Sequence, residues 1–329
     1  MSIMPRFLLT ALVPATVLAM AAVGAASAET SFPVKPVKII LPLPAGSALD
    51  VITRVAGERL TSQLGQQVIV ENRPGAGGAL AAQAVASAQP DGYTLLGAAG
   101  SIFQILPAQR EKIAIDVNRD FVQIGMVACC NPMFIAVPPR LGLTTFPQFV
   151  ALAKSRPQEI FVGTNGTGTL PNFAGLAIAK TGNIPITVIP YGQGGTIAAI
   201  TDIMGGRVHA TIEAVAGLRG QLQSGDLKLI GVMSDKRDPE YPEVPTIAET
   251  VPGLTAIGFM SLVAPAGTPH DIVGRLNEAL NQALETTSVR QRFAELSMPI
   301  KIMTPEATKS FVENEEKLWW PMVREFEPK

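Results

Sequence analysis

The sequence has 329 residues, and its 26 Lys and Arg nearly balance its 27 Asp and Glu. This balance excludes the strongly basic surface that binding to nucleic acid or to an anionic membrane requires. Charged residues make up only 16% of the chain, and its length suffices for the cores of two domains of ordinary size.

The first 28 residues have the three zones of a secretory signal peptide. Arg6 gives a positive start, an uncharged apolar run covers 7–23, and Ala26-Ser27-Ala28 supplies small residues for cleavage. The alternative is a membrane anchor, but the run is short for a bilayer span and Pro14 interrupts it. We expect cleavage after Ala28 and a periplasmic mature protein that does not insert into the membrane.

From residue 37 onward the chain repeats a short β-branched run, a glycine-rich loop and a helical stretch. Strands are predicted at 37–41, 67–70, 93–96, 160–163, 187–189 and 228–232, and helices at 48–64, 79–88, 269–286 and 305–325. This alternation predicts an α/β protein with mostly parallel sheets flanked by helices. We expect the two C-terminal helices to pack back on the first domain.

Two long apolar segments, 122–137 and 256–263, are predicted to cross between two domains. The expected division is a discontinuous first domain, 29–125 plus 256–329, with a second domain, 126–255, inserted into it. Two connecting strands of this kind allow a hinge to close over a ligand.

No motif in the sequence predicts catalysis. The nucleophile elbow of hydrolases and the phosphate loop of nucleotide-binding enzymes are absent. Gly75-Ala76-Gly77-Gly78 imitates a dinucleotide-binding fingerprint, but its third glycine is missing. We therefore expect no enzyme activity and no cofactor.

The cysteine and histidine content predicts no metal centre. The chain has two histidines, and neither has a ligand at metal-binding spacing. Cys129 and Cys130 are adjacent, and a bridge between neighbours closes no stabilising loop, so we interpret them as two small buried hydrophobic residues. Trp319 and Trp320 lie in an amphipathic helix and are expected in the core.

The glycine-rich loops at strand ends predict a site for a small anion. In parallel α/β domains ligands bind at the carboxyl ends of strands, where helix N-termini present free N–H groups. Candidate ligand-binding side chains with short hydrogen-bonding groups are Ser47, Thr164, Asn165, Thr167 and Thr169, with Asp50, Tyr191 and Glu213 as further candidates. The alternatives are that the short side chains only cap helices and that Asp50 only stabilises a helix start. Glu213 could read a hydrogen-bond donor on the ligand.

Several strings in order carry a resemblance to a known family. The most specific are Val70-Glu71-Asn72-Arg73-Pro74-Gly75-Ala76-Gly77-Gly78, Asp91-Gly92-Tyr93-Thr94-Leu95-Leu96 and Ala264-Pro265-Ala266-Gly267-Thr268-Pro269. On these residues the chain resembles the substrate-binding proteins of tripartite tricarboxylate transporters, the Bug or TctC family. The resemblance covers nearly all of the chain after the predicted signal peptide.

This resemblance implies a two-domain periplasmic-binding-protein fold, type II-like, with the ligand cleft between the domains. It implies a small carboxylate ligand held by loops 45–50 and 164–172, which adds Ala45, Gly46, Gly166, Gly168 and Asn172 to the expected site. Ser101, in the glycine-rich loop after the strand at 93–96, is a further candidate. The implied partners are the membrane subunits of a transporter. The alternative is a sensor for an organic acid that acts on a kinase. We expect a monomer.

The sequence departs from the family pattern at ligand-facing positions. Ser47 replaces a glycine, Asn172 replaces a common histidine, and Gly192 replaces a basic residue. These changes remove positive charge, and Phe103 is expected near the cleft. We therefore predict a ligand with one carboxylate and an apolar or aromatic body.

Overall fold

Two five-stranded sheets organise this protein, whose computed structural model describes Met1 and residues 32–43, 45–108, 115–192 and 195–326. The predicted signal peptide and its cleavage site lie outside the described residues. From Pro33 onward the chain forms one unit.

The strands match the predicted β-branched runs closely. In chain order they are β1 (Val37–Leu41), β2 (Val68–Asn72), β3 (Thr94–Ala99), β4 (Phe121–Pro132), β5 (Phe134–Val137), β6 (Ile160–Asn165), β7 (Ile186–Tyr191), β8 (Ala210–Glu213), β9 (Lys228–Val232) and β10 (Ile257–Pro265). The first sheet has the order β2-β1-β3-β10-β4, and the second has the order β7-β6-β8-β5-β9.

Helices cover these sheets and provide most of the remaining core. They are α1 (Ala48–Leu64), α2 (Ala79–Ala86), α3 (Ser101–Gln104), α4 (Val117–Asp120), α5 (Phe146–Ser155), α6 (Leu170–Thr181), α7 (Gly195–Met204), α8 (Val215–Ser224), α9 (His270–Glu285), α10 (Thr287–Glu295) and α11 (Pro305–Phe326). Within the described residues, no helix is both long enough and apolar enough to span a bilayer.

Both sheets are mostly parallel, as the alternation of strands and helices predicts, but each contains one reversed strand. β1 pairs parallel with β2 and β3, whereas β10 is antiparallel to β3 and β4. In the second sheet β6 pairs parallel with β7 and β8, whereas β5 is antiparallel to β8 and β9. The fold is therefore α/β with two mixed sheets.

The two predicted extended segments lie where the chain passes between the sheets. Met133 separates β4 of the first sheet from β5 of the second, and Ala256 precedes β10. Three backbone hydrogen bonds join these points: Met133 donates to Ala256, Ala256 to Met233, and Met233 to Met133, at 2.8–2.9 Å. A small backbone cluster thus connects both crossings.

The last helix, α11, packs on both sheets. Val312 in its first half lies in the core cluster of the first sheet, with Phe259. Trp319 and Val323 in its second half are fully buried among residues of the second sheet and α6. The expectation that this helix packs on the first domain therefore describes only its first half, although the predicted burial of Trp319 is confirmed.

Cys129 is buried in the core of the first sheet and Cys130 packs against it, as expected, but the interpretation of the two as separate residues is wrong, because the structure joins them in a disulfide. They lie in a bulge of β4, between the pairs Asn131–Gly258 and Ala128–Met260, so both cysteines face a single residue of β10. Cys130 has a φ of 68°, a left-handed conformation that the bulge accommodates.

Candidate functional site

A cavity of about 370 Å³ lies at the carboxyl ends of strands from both sheets. The loops after β1, β3, β6 and β8 surround it, and the crossing strands β4 and β10 form its remaining wall. This is the place where α/β sheets bind ligands. Its polar lining side chains are Ser47, Ser101, Gln104, Asn131, Asn165, Thr169 and Glu213, and its larger apolar ones include Leu43, Leu49, Met133, Leu170, Pro171, Phe259 and Met298.

A larger cavity of about 450 Å³ adjoins it and shares Asn131, Ala214 and Met298. Its other walls come mainly from α10, the segment after it, and the loop at 238–241. The glycine-rich loops after β1, β3 and β6 do not line it. The 370 Å³ cavity is therefore the candidate functional site.

The first loop is fixed at the start of α1. The Ser47 hydroxyl accepts a hydrogen bond from the Asp50 N–H and caps the helix, and Gly46 has a φ of 82° that favours glycine. Ser47 lines the cavity, while Ala45 and Gly46 are exposed beside it. The loop thus presents the N-terminus of a 17-residue helix to the cavity.

The Asp50 carboxylate fixes this loop by hydrogen bonds on the side away from the cavity. It accepts hydrogen bonds from the Gly46 N–H at 2.9 Å, the Asn72 amide at 2.9 Å and the Arg54 guanidinium at 3.1 Å. Burial raises the pKa of Asp50, but these hydrogen bonds outweigh it and hold the pKa below its ordinary value. The side chain is only 4% exposed and does not line the cavity, so its structural role is to position the loop.

The middle loop presents the N-terminus of α6. The Thr169 hydroxyl accepts from the Asn172 N–H and donates to the Gly166 carbonyl. Thr164 and Asn172 hydrogen-bond to each other and are almost completely buried. Of the candidates in this loop, Asn165 and Thr169 line the cavity, whereas Thr164, Gly166, Thr167, Gly168 and Asn172 do not.

Neither Tyr191 nor Phe103 lines the cavity. The Tyr191 hydroxyl donates to Asp202 at 2.5 Å, and burial together with this carboxylate raises its pKa to about 12. Phe103 lies near the cavity, as expected, but behind its wall, because it is 1% exposed and belongs to the core. The aromatic ring on the cavity wall is Phe259, whose centroid lies 6.4 Å from that of Phe103.

Glu213 ends β8 and is the one titratable side chain among the cavity-lining residues that the structure describes. Its Oε1 accepts from the Ala214 N–H at 2.9 Å, and its Oε2 lies 2.5 Å from the Thr196 hydroxyl. Burial raises its pKa, although hydrogen bonds from Thr196, Ala214 and Asn165 oppose this shift. Glu213 is thus a lining residue of the cavity, and its role toward a ligand stays a prediction.

Two polar residues on the wall were not predicted from the sequence. Gln104 ends α3, and Asn131 lies in β4 next to the bulge. In both, the amide oxygen is buried and has no hydrogen-bond partner. A single Gln or Asn among apolar residues forms no sequence motif that indicates a binding site. The bulge that orients Asn131 depends on strand pairing, which the sequence does not show.

Three helices of eight or more residues begin at the cavity, namely α1, α6 and α8. No side chain caps α8, whose first turn contributes Ala216 and Gly217 to the wall. Helix N-termini carry partial positive charge and N–H donors, and none of the described residues that line this cavity is a Lys, Arg or His. The described residues contain no cluster of side chains suited to hold a metal ion.

The family model for the tripartite tricarboxylate transporter family receptor matches residues 52–327. The chain belongs to this family. BugT of Bordetella pertussis is 32% identical over 314 residues, which cover 94% of each chain. The family and the fold are those of periplasmic solute-binding proteins rather than of enzymes.

Solved structures of the same class are similar over nearly the whole chain. The R. palustris protein Rpa4515 with adipate is 27% identical, has a TM-score of 0.79, and aligns over 90% of this chain and 98% of its own. MatC from Rhodopseudomonas palustris with bound malate is 28% identical, has a TM-score of 0.78, and aligns over 89% of this chain and 100% of its own. The two-domain periplasmic-binding-protein fold expected from the sequence is thereby confirmed.

Proposed function

We propose that this protein captures a small carboxylate-bearing organic acid in the periplasm and delivers it to the membrane subunits of a tripartite tricarboxylate-type transporter. The observation that carries the proposal is the convergence of the N-termini of α1, α6 and α8 on one cavity whose described lining residues include no basic side chain. Backbone N–H groups and helix dipoles are sufficient to bind a carboxylate. The adipate and malate of related structures are consistent with this class of ligand.

The apolar residues of the cavity wall limit the number of carboxylate groups that the ligand can carry. Phe259, Met133, Met298 and Leu170 line the cavity and offer no hydrogen-bond donor or charge to a second or third carboxylate. Desolvating an anionic group there without partners is unfavourable. We therefore retain the ligand with one carboxylate and an apolar or aromatic body as part of the proposal.

Binding is proposed to close the cleft. The lobes in this proposal are 29–125 with 256–329 and 126–255, and the hydrogen-bonded cluster of Met133, Met233 and Ala256 lies at the crossings between them. Closure removes water from the cavity and strengthens each N–H contact to the carboxylate. The mature chain is proposed to begin after Ala28 and to act as a monomer.

A titration of the mature protein tests the proposal. Calorimetry with benzoate, nicotinate, adipate, malate and citrate is expected to give saturable binding by at least one acid. At 100 times Kd, that acid stabilises the fold by about 2.7 kcal/mol, which corresponds to a thermal shift of roughly 5 °C. Absence of binding by every carboxylate in a broad panel would refute it.

The transporter partner needs a separate test in cells. Deletion of this protein is expected to abolish uptake of the radiolabelled ligand, and expression of the wild-type chain is expected to restore it. Unchanged uptake, together with loss of a transcriptional response to the same acid, would instead identify the sensor that acts on a kinase.

A further inference from the structure

Two of the amide side chains that line the cavity have an acceptor oxygen without a donor. Gln104 is completely buried and Asn131 is 8% exposed, and the amide oxygen of each has no hydrogen-bond partner. The orientation of Gln104 is fixed, because its Nε2 donates to the Ile257 carbonyl at 3.1 Å and to Glu315 at 2.7 Å. Buried acceptors of this kind are unfavourable until a donor reaches them.

The position of each oxygen is consistent with a role at the cavity. A Cβ added at Gly100, which lines the cavity, would lie 2.9 Å from Gln104 Oε1, so this oxygen sits directly behind the wall. Asn131 donates its amide to the Met298 thioether, which leaves its oxygen without a donor.

Glu213 adds a third acceptor, and its Oε2 shares the single proton of one hydroxyl with a neighbouring amide oxygen. The Thr196 hydroxyl has one proton, yet it lies within hydrogen-bond distance of both Asn165 Oδ1 and Glu213 Oε2. A neutral Glu213 carboxyl supplies the missing proton, and burial raises its pKa in the same direction. A ligand that brings its own donor allows Glu213 to release that proton and ionise.

The Glu213 side chain is held in place by uncharged neighbours. Asn165 of β6, Thr196 of α7 and the Ala214 N–H at the start of α8 contact its carboxyl group. A Cβ at Gly217 would approach Glu213 Cγ to 2.7 Å, so glycine at this position makes room for the side chain. No charged side chain among the described residues contributes to its pKa.

We propose that the ligand carries, besides its carboxylate, a hydrogen-bond-donating nitrogen group, an ammonium or a primary amide, which Glu213, Gln104 and Asn131 recognise. The inference deepens the proposed function and rests on it. The carboxylate binds at the helix N-termini, and the N–H groups satisfy the acceptors. A second carboxylate in this place brings only further acceptors and is rejected.

Matched ligands test this inference on the wild-type protein. Calorimetry compares glutarate with glutaramate and with an aminopentanoate, and isophthalate with its monoamide and with meta-(aminomethyl)benzoate. We expect at least one nitrogen analogue to bind about tenfold or more tightly than the dicarboxylate of its scaffold. Equal or tighter binding of both dicarboxylates overturns the inference and leaves the proposed function standing. Failure of every carboxylate to bind removes the proposed function itself.

The pH dependence separates the two nitrogen groups. Affinity for the ammonium ligand is expected to rise with pH as Glu213 loses its proton, whereas affinity for the amide stays nearly flat. Affinity for a dicarboxylate falls as pH rises, because an ionised Glu213 repels it. Ammonium binding that weakens as pH rises would contradict the assignment to Glu213.

A variant provides the second readout. Glu213→Gln is expected to weaken binding of the nitrogen ligand about tenfold or more and to reduce its preference over the dicarboxylate. Glu58→Gln is the matched control, because Glu58 is exposed on α1 and does not line the cavity. An unchanged ligand preference in a folded Glu213→Gln protein overturns the role of this residue.

Discussion

Replacement of Asp50 by asparagine tests whether a residue outside the cavity shapes its wall. The substitution keeps the size of the side chain but removes its charge and turns one acceptor oxygen into an NH₂ donor. Asp50 Oδ2 accepts from the Gly46 N–H, Oδ1 accepts from the Asn72 amide, and both oxygens accept from Arg54, so the new NH₂ group faces donors whichever way the amide is turned. We therefore expect the first loop to lose its fixed position beside Ser47.

The size of the effect follows from these contacts. Hydrogen bonds to a charged group contribute about 1.5–3 kcal/mol each, but the Arg54 side chain is 46% exposed and its share is screened by solvent. We expect the free energy of unfolding to fall by about 2–3 kcal/mol. Ligand affinity is also expected to fall, because the first loop is no longer held in position.

Urea unfolding and calorimetry measure the two effects. The folded pKa of Asp50 lies below its ordinary value, so its contribution is present above about pH 4 and is lost as pH falls through the folded pKa. The difference between wild type and variant should shrink in acid. Asp91→Asn is the control, because the Asp91–Lys35 pair is exposed and is expected to contribute less than 1 kcal/mol. Equal, small losses in both variants would refute the reasoning.

Three further predictions concern the wall and the core. Gly100→Ala places a methyl group 2.9 Å from the Phe259 ring and is expected to weaken ligand binding about tenfold in calorimetry. Gly274→Ala is the control, because Gly274 is in an open helical position. This variant should stabilise the fold by about 0.5–1 kcal/mol in thermal unfolding and leave ligand affinity unchanged. Trp320→Phe removes the 2.8 Å hydrogen bond to the Phe103 carbonyl and should cost about 1–2 kcal/mol in urea unfolding; an unchanged midpoint contradicts this. Thiol titration of unfolded, unreduced protein should find no free thiol because of the vicinal disulfide, and two free thiols would contradict it.

The sequence predicts local elements well because their signals are local. The bounds of β1, α1 and β9 agree with the β-branched runs and with the Ser47 cap and Gly65 terminus. The reversed directions of β5 and β10 could not be predicted, since alternation of strands and helices indicates parallel pairing and each strand's direction depends on distant partners.

The candidate site was predictable only in part. Ser47, Ser101, Asn165, Thr169 and Glu213 follow strand ends, where chain order alone indicates ligand loops, and the structure brings them to one cavity. The unpartnered amide oxygens of Gln104 in α3 and Asn131 in β4 could not be predicted, because burial and a missing donor are properties of the folded chain.

A crystal structure of the protein with the tightest acid from the titration tests the central claim most directly. We expect the ligand carboxylate in the 370 Å³ cavity, within hydrogen-bond distance of backbone N–H groups at the starts of α1, α6 or α8. A carboxylate bound in the adjoining 450 Å³ cavity, or paired with a Lys or Arg side chain instead, would contradict it.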